Sequence, residues 1–152
     1  MCWNNVVRMN NRMSTLLQKM NVTWPVEPPT SVKTPAFEIV EDCVLLQNNW
    51  IHNQHIKIAD FPDKTGFECF INQDHFTFDR TRNSLKSCLE RAAVLQQGLL
   101  SFAKSRRFRM IVSISDEDPD CNIRFHQVRS GESWLSNDLE GYNSEAVLVF
   151  EV

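Results

Sequence analysis

The stretch from Asn83 to Lys104, NSLKSCLERAAVLQQGLLSFAK, constrains this chain most. Leu85, Cys88, Leu89, Ala92, Leu95, Leu99 and Phe102 recur at spacings of three and four, which places them on one face of a helix. Asn83 or Ser84 is positioned to cap the first turn by accepting an orphan backbone N–H. Lys104, Arg106, Arg107 and Arg109 follow the last turn, where positive charge suits the carbonyl end of a helix. Gly98 is the weak point, costing about 1 kcal/mol against Ala. Segments of strand-like alternation lie on both sides. The expected architecture is α+β: a mainly antiparallel sheet of roughly five to seven strands, packed on one face by this long helix, with a second helix near the N-terminus.

Residues 3–20 support that second helix, with Trp3, Val6, Met9, Met13, Leu16, Leu17 and Met20 on one side. The stripe reads as a docking face. Pro25, Pro28, Pro29 and Pro35 exclude regular structure over about 21–35. Residues 1–35 therefore read as a helix and a Pro-rich connector, with the ordered body, a single α+β domain over 36–152, beginning near Ala36. AFEIVEDCVLL (36–46) reads as a strand, and NWIHNQHIKIADF (49–61) alternates less regularly. Pro62 to Gly66 is a turn, and GFECFI (66–71) and HFTFD (75–79) read as an aromatic-rich hairpin. After the long helix, FRMIVSIS (108–115), CNIRFHQV (121–128) and EAVLVFEV (145–152) alternate again. The last is apolar on both sides, as a central strand would be.

The chain is long enough, at 152 residues, to bury one core. Its net charge of −3 conceals segregation. Residues 1–35 carry a net +3, residues 36–78 a net −5, residues 79–109 a net +6 and residues 110–152 a net −7. Blocks of this kind bear on partners rather than on fold. No apolar run reaches about 18 residues, so no membrane span is expected. The N-terminus lacks the apolar core of a secretory signal. Cys2, Cys43, Cys69, Cys88 and Cys121 are widely spaced without a CxxC, and read as small buried hydrophobes in a reducing, cytoplasmic setting.

No strong catalytic signature emerges. His52 and His55 have a helical ligand spacing, but in a strand they point to opposite faces, which defeats metal chelation. His75, beside Asp74, and His126 are candidate general bases for a small hydrolase or nuclease; the alternative is that they are packing or solvated side chains. Asp116, Asp118 and Asp120 imitate the start of a calcium loop, but Cys121 stands where Gly is needed and Gln127 where a bidentate Glu is needed. No metal or cofactor is therefore expected. The same carboxylates, with Glu117, form either a solvated loop or an electronegative docking surface for a cationic protein. The segment from Gly131 to Tyr142 strengthens the docking reading by placing Trp134 and Tyr142 among Glu132, Asp138 and Glu140. The alternative reading is that Trp134 covers the sheet edge. The basic block Arg80, Arg82, Lys86, Arg91, Lys104, Arg106, Arg107 and Arg109 could contact phosphate, but it lacks interleaved aromatics and reads as a solvated helix face, so no nucleic-acid partner is expected.

The final segment, GESWLSNDLEGYNSEAVLVFEV, resembles the end of small immunity proteins from bacterial contact-dependent growth inhibition systems. The resemblance rests on the aromatic-acidic loop leading into a last apolar strand. It implies a cytosolic, non-catalytic protein that binds one toxin domain and blocks its active site. Many such toxins have basic, phosphate-facing clefts, which an acidic partner suits.

Overall fold

The computed structural model describes residues 6–152. Its elements are β1 (Val7–Met9), α1 (Asn11–Met20), β2 (Phe37–Val40), β3 (Cys43–Leu46), α2 (Gln47–Ile51), α3 (Lys64–Ile71), β4 (Gln73–Thr77), α4 (Arg82–Phe102), β5 (Phe108–Ser115), β6 (Asp120–Gln127) and β7 (Glu145–Glu151). Five strands form one sheet in the order β1–β7–β5–β6–β4, and β2 and β3 form a separate hairpin. Every pairing is antiparallel. The architecture is the expected α+β, and β7 lies inside the sheet, between β1 and β5.

α4 carries the main core. Its Leu85, Leu89, Leu95 and Leu99 join Met110 and Val112 of β5, Ile123 and Phe125 of β6, and Leu148 and Phe150 of β7. The cap is Thr81 rather than Asn83 or Ser84: its hydroxyl accepts the Ser84 N–H at 3.1 Å. Phe102 stays 43% exposed while its ring lies 5.5 Å from that of Phe37. Gly98 is there for space, since a Cβ would meet the Phe37 ring at 2.9 Å. Cys88 and Cys121 are joined by a disulfide between α4 and β6, where five unpaired cysteines were expected; Cys43 and Cys69 are free and buried.

Several expectations need correction. Trp3 of the proposed 3–20 helix lies outside the described residues. Val7 to Met9 instead pair with Phe150 to Leu148 as an edge strand, and the helix starts at Asn11. Asn10 divides them: its side chain caps α1 by accepting the Met13 N–H at 3.0 Å. Met13 and Leu17 then enter the main core, so the ordered body begins well before Ala36. Residues 36–46 form a hairpin, turning through Glu41 and Asp42, both at positive φ (48° and 66°). Residues 49–61 hold the end of α2 and a 3-10 turn at Ile58–Asp60, not a strand. Finally, GFECFI lies in α3. Asp63 caps it by accepting the Gly66 N–H at 2.8 Å, and residues from Thr65 to Cys69, with Ile71, are buried.

α3 joins the hairpin to the sheet. β4 pairs with β6 only as far as Arg124, so the next stretch of the β6 edge is left without a strand. Glu68 and Asn72, one helical turn apart, fill that gap with side chains. Glu68 accepts from Gln127 N at 3.2 Å on one side and from Val44 N of β3 at 3.1 Å on the other. Asn72 accepts from Leu46 N at 2.8 Å and donates to Val44 O at 2.9 Å and Phe125 O at 3.3 Å. These contacts act as rungs between two strands that never pair directly, and satisfy backbone groups that burial would otherwise strand.

Candidate docking surface

The polar face of the sheet carries Arg109 and Ser113 of β5, Asn122, Arg124 and His126 of β6, and Gln73 and His75 of β4, as the register and alternation require. The connection 129–144 crosses this face and is tied down along its length. At its start Arg129 forms an ion pair with fully buried Glu68 and donates to Asp42 O at 3.2 Å. Arg106 donates to the Asp42 carboxylate at 2.9 Å and Gln127 to Asp42 O at 2.8 Å, so three side chains brace the left-handed turn. Glu132 accepts from Thr65 N at 3.1 Å. Leu135, Leu139 and Tyr142 cover Ile111, Val147 and Val149 in a small second-face core. Near its end Asn10 donates to Glu145 O at 2.8 Å, and Glu140 accepts from Asn11 N at 2.8 Å.

Trp134 sits on this strap at 41% exposure. The Arg124 guanidinium lies 5.5 Å from its ring centroid, within cation–π range, and is itself held by Gln73 Oε1 at 3.1 Å. The Tyr142 hydroxyl accepts from Ser136 N at 2.9 Å and tightens the loop around the ring. The second acidic loop adjoins the end of the strap, where Asp116 N donates to Ser144 O at 2.9 Å.

The structure gives most of the predicted acidic site residues internal work. Asp116 pairs with Arg12. Asp120 lies 3.4 Å from His75, and Asp138 accepts from Glu140 N at 3.1 Å. Of the predicted acidic site residues, Glu117 and Asp118 alone have exposed carboxylates with no hydrogen-bond or ion-pair partner among the described residues. The charge blocks of the sequence thus largely compensate one another in space, with Arg91 on Asp74, Arg106 on Asp42, and Arg107 and Arg109 on Glu151. Burial works against the Glu151 charge, but Arg109 and Arg107 hold its carboxyl below the usual range.

The catalytic candidates are not brought together. His75 is exposed opposite Asn122, while His126 is buried four residues farther along β6, about 13 Å away at strand rise. Burial holds the His126 pKa down, so its ring stays neutral, with Nδ1 2.6 Å from Gln127 O. Burial pushes the Cys43 thiol up to about 11 and raises that of Cys69 as well, which keeps both protonated and unreactive. His52 and His55 are exposed, and no metal-binding group of three or more His, Cys, Asp or Glu occurs among the described residues.

Sequence reasoning missed Glu68, Asn72, Gln127 and Arg129, which position the strap, and Arg124 beneath Trp134. Burial raises the Glu68 pKa, opposed by the Arg129 guanidinium and Gln127. The one available signal was a lone Glu inside the apolar run GFECFI.

No curated protein and no solved structure matches the chain. The model of one protein family does match, over residues 8–152, and so takes in β1 from Arg8 on, the α3 rungs, both acidic loops and the final strand. With nearly its whole length matched, the chain belongs to the Uncharacterized protein PM0498 family.

Proposed function

We propose that this chain is an immunity protein that binds a cognate bacterial toxin domain and neutralises it by blocking its active site. The observation that carries the reading is Trp134, a large ring left 41% exposed on a strap fastened from Arg129 to Glu145. An aromatic anchor already held in place loses little freedom on docking, which favours affinity. Glu117 and Asp118, exposed on the neighbouring loop, supply the rim charge that steers a cationic partner. Among the described residues, no helix is long and apolar enough to cross a membrane. In this reading the protein acts in the cytoplasm.

The test is co-expression with the product of the neighbouring gene. The expected result is protection of the cell and a stable complex on purification. A folded protein that neither protects nor co-purifies overturns the proposal. A folded His75→Ala/His126→Ala double variant is expected to protect fully; loss of protection there would favour the rival hydrolase or nuclease.

A further inference from the structure

Basic side chains from two distant segments meet in one cleft. The cleft, of about 300 Å³, lies between α1 and the residues before α4. Arg12 and Lys19 enter it from α1, two helical turns apart and so on one face. Arg80 enters from the other side. Its backbone is left-handed at φ 63°, an uncommon conformation for a side-chain-bearing residue. Its guanidinium donates to Ser115 O at 2.9 Å and to Asp116 O, and lies 5.7 Å from the Phe78 ring centroid.

These contacts aim the Arg80 charge without neutralising it. Among the described residues, neither Arg80 nor Lys19 has a carboxylate within ion-pair distance. Asp116 offsets Arg12 alone, so two of the three cations remain uncompensated. α4 begins two residues after Arg80, and the Asp79 carboxylate is turned to that helix end, accepting from Thr81 N at 3.0 Å and the Thr81 hydroxyl at 2.6 Å. The floor is apolar, formed by Leu16, Ile114 and Ala146.

We infer that this cleft binds a phosphate monoester, with the phosphate among Arg12, Lys19 and Arg80 and the ester carbons on the apolar floor. A dianion balances the two uncompensated cations, and the guanidinium fork fits tetrahedral oxyanions. The second ionisation of a phosphate monoester falls near pH 6, so affinity declines as pH drops below about 6.

The test is titration of the full chain with phenyl phosphate and, in parallel, with phenyl sulfate, a monoanion of similar shape, followed by calorimetry or NMR shifts. At pH 7.5 the phosphate is expected to bind about tenfold tighter than the sulfate, with the gap closing near pH 5. Lys19→Gln, an exposed change on α1, is expected to weaken phenyl phosphate binding about fivefold without altering the fold. Absence of phenyl phosphate binding, equal affinity for the sulfate, or unchanged affinity in folded Lys19→Gln would each overturn the assignment.

Discussion

Against the core face of the sheet, α4 buries Leu85, Leu89, Leu95 and Leu99 on the apolar side chains of β5, β6 and β7. At the β6 edge beyond β4, the hairpin is joined through the Glu68 carboxylate and the Asn72 carboxamide. The first contact is non-directional and shared among many residues, so its strength scales with buried area. The second is directional and rests on a few atoms. A buried ion pair such as Glu68–Arg129 is weak evidence for stability, because desolvation opposes its attraction. What it does here is fix position: it sets where the strap carrying Trp134 starts.

The largest effect separates the two regions at once. Leu89 is fully buried against the sheet, and Leu89→Asp both removes apolar burial and inserts an unpaired carboxylate. The variant is expected not to fold, as read by circular dichroism. An unchanged melting temperature would break the account of the core face.

Arg129→Ala probes the polar region. Losing the partner of a buried charge costs about 3–5 kcal/mol. Glu68, already raised from 4.5 by burial, rises further without the guanidinium. A carboxyl raised in the folded state contributes stability below its unfolded pKa and loses it as pH rises through the folded pKa. The deficit measured by urea unfolding should therefore be full at pH 8 and shrink toward pH 5. A deficit independent of pH would mean that Glu68 does not carry the charge assigned to it.

Gly98→Ala gives the smallest stability effect and reverses a sign. Helix propensity alone predicts a gain of about 1 kcal/mol. The new methyl would press on the Phe37 ring, which packs against Phe102 and Phe125, so a net loss of about 1 kcal/mol is expected instead. A raised melting temperature would show that the ring yields.

These contrasts explain what could be read in advance. α4, β5 and β6 each have one side that differs from the other, so their periodicity is visible in the residues, and β7 is visible instead as a short run apolar on both sides. α3 hides because residues from Thr65 to Cys69 are buried almost all round, and Phe67, Cys69 and Ile71 then mimic strand alternation. The Glu41–Asp42 turn hides because neither residue is the Gly or Asn that such a turn favours; Arg106, Gln127 and Arg129 hold it from far along the chain. The aromatic-acidic loop was legible as a segment. Its partners were not, since Asn11 for Glu140, Thr65 for Glu132 and Arg12 for Asp116 are contacts across long sequence separations.

The central claim, that the strap presents Trp134 as a fixed anchor for a protein partner, is tested most directly by binding kinetics of Trp134→Ala with the cognate toxin domain. The account predicts faster dissociation, costing at least about 2 kcal/mol, with association little changed. Charge reversal at Glu117 and Asp118 should do the opposite, slowing association and weakening its salt dependence. Unchanged dissociation in a folded Trp134→Ala variant would contradict the claim and leave the ring as a cover over Arg124.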